Sequence, residues 1–177
     1  EGLTSIGAKA FWGCFGLTSI TLPDSVTNIG EYAFSGCSGL INIKIPDSVV
    51  NIGPGVFSYC DGLASITVSK GNKYYDSRDN CNAIIETESN TLVCACKKTA
   101  IPDNITRIGS SAFEDCTSLT SITLPDSVTS IGSKAFSGCS NMTSIIVSDG
   151  VISIGDSAFE GCMSLTNITL PDSVTSI

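Results

Sequence analysis

The chain of 177 residues contains no histidine. That removes imidazole general bases, histidine-dependent nucleophilic triads and histidine-ligated zinc together. Cations are scarce too: nine Lys and Arg stand against 17 Asp and Glu, for a net charge of -8. A surface that grips phosphate backbones needs the opposite balance, so no nucleic-acid partner is expected. Apolar runs stop early. Runs such as Ile145-Ile146-Val147 fall far short of the roughly 20 residues of a membrane span, and no membrane insertion is expected of this segment. Neither end reads as a signal peptide.

What the chain does contain is one phrase said many times: Pro-Asp-Ser-Val-Thr-x-Ile-Gly-x-x-Ala-Phe-x-Gly-Cys-x-x-Leu-x-x-Ile-x-Leu. Cys14, Cys37 and Cys60 are 23 residues apart, and so are Cys116, Cys139 and Cys162. From Cys60 to Cys116 is 56, two periods plus ten, which assigns an inserted stretch to one divergent copy, residues 69–101. A fixed period of this length is the mark of a solenoid. The phrase is already running at Glu1-Gly2-Leu3, which aligns with Asp24-Ser25-Val26, and it breaks off at Ile177. With no polar cap at either end, the chain reads as a piece of a longer polypeptide, and 1–177 as one domain with regular coils over 1–68 and 102–177.

Each position in the phrase has a physical reading. Leu17, Ile20 and Leu22, recurring as Leu40/Ile43/Ile45, Leu63/Ile66/Val68, Leu119/Ile122/Leu124, Met142/Ile145/Val147 and Leu165/Ile168/Leu170, end in the in-out-in alternation of a short strand. Stacked coils set these strands parallel, about 4.8 Å apart. Val26-x-x-Ile29-Gly30 and its copies predict a second extended stretch closed by a glycine turning with positive φ. Phe11, Phe34, Phe57, Phe113, Phe136 and Phe159 fill one repeat position, six of the seven phenylalanines, and predict an internal aromatic spine. The expected architecture is an α/β-type solenoid, a superhelix of 23-residue coils with short parallel strands, little helix and one inserted β-hairpin.

The repeat cysteines read as buried free thiols acting as small hydrophobes; a metal ladder lacks any Cys-x-x-Cys pair, and disulfides between coils would need side chains turned out of the column. Asp24, Asp47, Asp103, Asp126, Asp149 and Asp172 form a second column. One reading is a calcium ladder, but the nonapeptide of calcium-binding β-rolls is absent. The other is a Pro-Asp-Ser turn whose aspartate bonds nearby amides. The outward Ser/Thr positions suit an exposed sheet; a water-ordering, ice-binding array is interrupted by Lys44 and Ile146. No cofactor is expected.

The phrase Ile-Gly-x-x-Ala-Phe-x-Gly-Cys-x-x-Leu-x-x-Ile-x-Leu-Pro-Asp-Ser-Val resembles the BspA-like leucine-rich repeat, also called the Treponema pallidum-type repeat, over nearly the whole chain. The resemblance implies a right-handed solenoid with a parallel sheet on its concave face. It also implies a cell-surface or secreted protein of a host-associated bacterium or protozoan, several relatives acting in adhesion to host or matrix proteins. It supplies no catalytic residues.

Within 69–101, Ala83-Ile84-Ile85-Glu86 and Thr91-Leu92-Val93-Cys94 flank a polar Thr87–Asn90 turn and predict a β-hairpin. Similar segments usually interrupt the repeats of that family. Lys70, Lys73, Tyr74, Tyr75 and Arg78 concentrate charge and aromatic rings in the same segment, and such departures from a rigid scaffold are where binding tends to reside. Trp12 and Phe15, which stand where the other coils carry Ser, Thr, Asp, Glu or, once, Met163, form an exposed aromatic pair that is either a contact patch or the cover of a coil edge. For Cys81, Cys94 and Cys96 two options stand beside free thiols: a Cys81–Cys96 disulfide across a turn centred on Glu88-Ser89, and a zinc site without an evident fourth ligand. Nine cysteines being odd, at least one thiol stays free in a monomer. Asn104, Asn141 and Asn167 begin Asn-x-Thr sequons, relevant only to secretion by a eukaryote. Catalysis needs a unique constellation of groups, whereas most polar residues here recur in columns. The expected function is therefore a non-enzymatic module binding a protein ligand, with a passive spacer as the alternative.

Overall fold

The computed structural model describes residues 2–177; Glu1, and with it the start of the alignment to Asp24, lies outside the described residues. Thirteen short strands succeed one another: β1 (Ser5–Ile6), β2 (Asn28–Ile29), β3 (Asn42–Ile45), β4 (Asn51–Ile52), β5 (Ser65–Val68), β6 (Tyr75–Asp76), β7 (Ala83–Glu86), β8 (Thr91–Ala95), β9 (Arg107–Ile108), β10 (Ser121–Thr123), β11 (Ser130–Ile131), β12 (Ser144–Ile146) and β13 (Ser153–Ile154). Among the described residues the helical content is a single 3-10 turn at Arg78–Asn80.

Each lap of the repeat lands on the one before it. The Leu-x-x-Ile-x-Leu stretches pair in parallel, β3 with β5 from Asn42↔Ser65 to Ile45↔Val68, and β10 with β12 from Ser121↔Ser144 to Thr123↔Ile146. In β3 the alternation is complete: Ile43 and Ile45 are buried, Asn42 and Lys44 exposed. The same stretches in the first and last coils form no strand. The Val-x-x-Ile stretches make a second column, with β1, β2 and β4 parallel in steps of Ser5, Asn28 and Asn51, and β9, β11 and β13 in steps of Arg107, Ser130 and Ser153.

The glycine ending this second stretch does a different job from the one expected of it. Positive φ falls instead on Lys9, Tyr32, Gly55, Ser111, Lys134 and Ser157, and on the residue before each repeat cysteine: Gly13, Gly36, Tyr59, Asp115, Gly138 and Gly161. Gly30, Gly53, Gly132 and Gly155 are needed for closeness: a Cβ there would lie 2.4–2.6 Å from the backbone nitrogen of Ala8, Glu31, Ser110 or Ser133 in the preceding coil. No side chain fits between backbones so near.

Beyond that glycine the Ala-Phe turns stack through main-chain bonds, Phe11 N–H donating to Ala33 O at 2.8 Å and Phe136 N–H to Ala158 O at 2.9 Å. Their rings stack as well. The spine is two piles of three: Phe11, Phe34 and Phe57 at 5.1 and 5.6 Å, then Phe113, Phe136 and Phe159 at 5.0 and 5.6 Å. Phe57 and Phe113 are not stacked, because the divergent segment lies between their coils.

That segment holds the hairpin read from the sequence. Strands β7 and β8 pair antiparallel, β8 continues parallel into β9, and the sheet order is β13-β11-β9-β8-β7-β6. The hydrophobic core divides into two clusters, and the hairpin serves both. Ile84, Cys94 and Cys96 face the cluster of the first coils, while Ala83, Ile85, Leu92 and Ala95 face that of the last. A strand buried on two sides joins what would otherwise be separate cores.

Phe136, fully buried in mid-pile, is expected to cost about 3–5 kcal/mol when replaced by alanine. Exposed Lys73 replaced by alanine is expected to stay within about 0.5 kcal/mol. Urea unfolding of the two variants measures the difference, and similar small losses from both would contradict the spine.

Candidate functional site

The surface chemistry begins with which polar groups are already occupied. In the Pro-Asp-Ser turn it is the serine that bonds: the hydroxyls of Ser25, Ser48, Ser127 and Ser173 donate to the carbonyls of Leu3, Val26, Ile105 and Val151, 22 residues earlier, at 2.6–2.7 Å. The aspartate-to-amide bond expected there does not form. Asp24, Asp47, Asp103, Asp126, Asp149 and Asp172 are exposed, and among the described residues no group of His, Cys, Asp or Glu is arranged to hold a metal ion.

The thiols are structural in a way that hydrophobicity alone does not suggest. Cys37, Cys60, Cys139 and Cys162 each donate from Sγ to the phenylalanine carbonyl 26 residues before, at 3.1–3.3 Å. Burial pushes the thiol of Cys60 up to about 12 and that of Cys116 up to about 11, which suppresses the thiolate needed for metal or disulfide chemistry. All nine cysteines are free. A β-bulge between Ile84 and Ile85 sets Ala83 opposite Ala95, so a continued register would carry Cys81 past Cys96. Cys81 packs into one core cluster and Cys96 into the other.

The divergent segment keeps the 23-residue frame as far as Tyr75 and departs only afterwards. Lys70 occupies the column of Asp24 and Asp47, Tyr74 that of Asn28 and Asn51, and Tyr75 that of the core residues Ile29 and Ile52. Tyr75 is accordingly buried, and its hydroxyl accepts the Ile52 N–H at 3.2 Å. Asn72, in a valine column, stitches the segment down. Its Nδ2 donates to the Pro46 and Val49 carbonyls at 2.8 and 3.0 Å, and its Oδ1 accepts the N–H groups of Tyr74 and Tyr75, both at 2.9 Å. Arg78 is committed as well: Nε and Nη2 grip Asp76, at 2.6 Å for the closest pair, and Nη1 donates to Asn90 Oδ1 at 2.8 Å. The Asp76 carboxylate beside it raises the Arg78 pKa further.

Of the five residues singled out in this segment, Lys70, Lys73 and Tyr74 are thus free at the surface, while Tyr75 and Arg78 fasten the loop. Three adjoining depressions meet at Ser69 and bring the free ones together with Lys44, Asp24, Asp47 and Ser48. Among the described residues the single ion pair is Arg78–Asp76, so Lys44, Lys70 and Lys73 form no ion pair there, although Asp24 and Asp47 line the same depressions. Lys44 was visible beforehand as an interruption of the Ser/Thr array. Trp12 and Phe15 are 66% and 70% exposed but sit on the phenylalanine-bearing turn of the first coil and line none of these depressions.

A family model for the BspA type leucine-rich repeat region matches residues 1–88 and 83–177. Among solved structures, a leucine-rich cell surface protein of Faecalibacterium prausnitzii is 36% identical with a TM-score of 0.83, covering 100% of this chain and 48% of that one. The leucine-rich repeat protein of T. pallidum is 28% identical, TM-score 0.55, covering 93% of this chain and 72% of that one. The pneumococcal vaccine antigen PcpA, at 24% identity, shares the fold with a TM-score of 0.86 over 98% of this chain and 44% of its own. The chain thus spans about half the length of the first of these relatives. No curated protein matches the sequence significantly.

Tyr75→Ala is expected to lower stability by about 3 kcal/mol, and Tyr74→Ala, at a half-exposed position, by no more than about 0.5; chemical denaturation of both reads the contrast. Alkylation in native buffer is expected to label exposed Cys14 first and to leave buried Cys37, Cys60 and Cys139 untouched until the protein is unfolded, as mass mapping of the labelled thiols would record.

Proposed function

Because the chain belongs to the BspA type leucine-rich repeat family, we propose that it is a non-enzymatic binding module of a cell-surface or secreted protein and holds a host or matrix protein against the face around Ser69. One observation carries this reading. Exposed strand positions elsewhere are mostly Ser, Thr and Asn repeated coil after coil, whereas Lys44, Lys70, Lys73 and Tyr74 are non-repeating and line depressions that adjoin at Ser69. A repeating surface presents the same small hydroxyls to every partner. A singular set of an aromatic ring and three unpaired cations can discriminate. Rigidity supports the reading too, since Asn72, Tyr75 and Arg78 fix the loop and a pre-ordered loop loses little entropy on binding.

The cell-surface placement is supported by the Faecalibacterium relative, described as a leucine-rich cell surface protein. Enzymatic activity finds no support in a chain without histidine whose carboxylates and hydroxyls stand in columns.

The test is capture of purified matrix and host-surface proteins by the immobilised chain. Joint replacement of Lys44, Lys70 and Lys73 by glutamate with Tyr74→Ala is expected to weaken capture at least about tenfold while leaving the unfolding midpoint near that of the parent. Equal capture by parent and variant would remove this face from consideration. Failure of the parent to capture any of them would favour the spacer reading.

A further inference from the structure

Neighbouring coils of like kind are bonded through their phenylalanine turns by a set of three backbone hydrogen bonds. Lys9, Phe11 and Gly13 donate to Glu31, Ala33 and Ser35; Tyr32, Phe34 and Gly36 to Pro54, Val56 and Ser58; Lys134, Phe136 and Gly138 to Asp156, Ala158 and Glu160. Where the turn of Phe57 meets the turn of Phe113 across the divergent segment, this set is missing among the described residues. Side chains stand in its place. Ser58 Oγ donates to Glu114 Oε2 at 3.2 Å and Thr117 Oγ1 to Asp61 Oδ1 at 2.7 Å, and the nearby Asp115 carboxylate holds the Tyr59 hydroxyl above its ordinary pKa. Lys97 Nζ donates to the Asp61 carbonyl at 2.7 Å. A cavity of about 20 Å³ lies among these groups, room for about one water.

The repeat itself marks the same two residues. The position before the repeat cysteine is Gly13, Gly36, Gly138 and Gly161 elsewhere, with φ of 71–76°. In the two coils flanking the junction it is Tyr59 and Asp115, both held at φ 57°. That left-handed conformation is unfavourable for a residue with a Cβ. A glycine there would relieve it but would remove both side chains from the joint.

We propose that this junction is a proton-operated joint between the two halves of the solenoid: the side-chain clasp of Tyr59, Asp115, Ser58, Glu114, Asp61 and Thr117 tightens when Asp115 takes up a proton and loosens when it gives the proton away. The Asp115 carboxyl lies over the bare Cα of Gly138. It faces Tyr59 and Asp61 from the Phe57 coil, Glu114 from its own turn and Lys134 from the next coil. Burial, opposed by the Tyr59 hydrogen bond and reinforced by the charges of Glu114 and Asp61, raises it from 3.8 to about 6, with Lys134 pulling the other way. A carboxyl held more tightly protonated in the folded chain than in the unfolded one stabilises the fold at low pH, and that contribution fades as pH rises through about 6. At neutral pH three carboxylates crowd the joint, so the halves are bound least firmly there.

The absence of histidine makes the window clean, because no side chain of ordinary pKa changes charge between about pH 5.5 and 7.5. Urea unfolding is followed at these two values for the parent, Asp115→Asn and Tyr59→Phe. Asparagine matches the shape and tolerates positive φ, so the variant keeps the turn. The folding constant of the parent is expected to rise roughly threefold to fivefold more on acidification than that of Asp115→Asn. Amide exchange in the parent, corrected for intrinsic rates, is expected to slow at pH 5.5 in the Phe57 and Phe113 turns and not in the Phe34 turn. Tyr59→Phe removes the bond that holds the Asp115 pKa down and is expected to strengthen the pH dependence at lower overall stability. Parallel pH profiles for the parent and Asp115→Asn would overturn the proposal, and so would slowing spread evenly over all coils.

Discussion

A carbonyl that waits for its donor until the chain has gone once round is the contact on which this structure depends. The donors come from three kinds of group at fixed separations: a serine hydroxyl 22 residues on, a backbone amide at the strand, and a cysteine thiol 26 residues on. At the phenylalanine turn the order reverses, and the amide of the earlier coil waits for the carbonyl of the next, as Phe11 for Ala33. None of these bonds is strong alone, each contributing about 1 kcal/mol net. Their force lies in number and registry, because one residue gained or lost in a lap would break all of them in that coil together. This explains a composition rich in residues that do little by themselves. Serine and cysteine are small enough to sit between coils and still carry a proton to donate, and glycine is small enough to let the backbones approach to the distance the bonds require.

Such a stack should tolerate no insertion in mid-chain, yet it carries one of ten residues. The structure resolves the conflict by keeping registry on one side of the coil and giving it up on the other. At the strand side the added chain becomes the β7–β8 hairpin, which enters the sheet and feeds β9. Its alternating side chains fill the interiors of both halves, so the hydrophobic interior is bridged. At the turn side nothing of the kind is available, since β8 sends only Ala95 N–H to the Ala112 carbonyl. There the phenylalanine pile is cut and side chains substitute for backbone. Two different solutions to one insertion thus occupy opposite sides of the same layer.

The sequence announced whatever obeyed the period. The lap length, the phenylalanine column, the parallel pairing and the hairpin follow from spacing and alternation, which are properties of the residue string. Two readings went astray for one shared reason. The turn aspartate and the glycine after the isoleucine are each read from within a single coil. The partner that decides them is outside it. The serine reaches the previous coil and the glycine is pressed against the previous coil; the Cys81–Cys96 option is closed by the bulge at Ile84/Ile85, which no spacing in the sequence marks. Tyr75 and Asn72 were legible in principle. Continuing the count one lap past Ile52 places Tyr75 in the isoleucine column, and a ring in such a column is interior. Treating the whole of 69–101 as irregular hid that.

The binding face and the joint have a common origin in the broken repeat. A column of identical side chains cannot produce a singular site, because whatever one coil offers its neighbours offer too. Singularity enters where a coil is released from matching its neighbours. Lys70 can replace an aspartate because the next coil no longer repeats that turn, and Tyr59 and Asp115 can replace glycines because no backbone ladder passes between them. The cost of the release is modest: two residues with positive φ, at about 1 kcal/mol or somewhat more each, and one missing set of turn bonds. The hairpin offsets it by burying apolar surface on both faces. A solenoid of this type is therefore generic in its regular coils, and its chemistry is concentrated in the layer where the count fails.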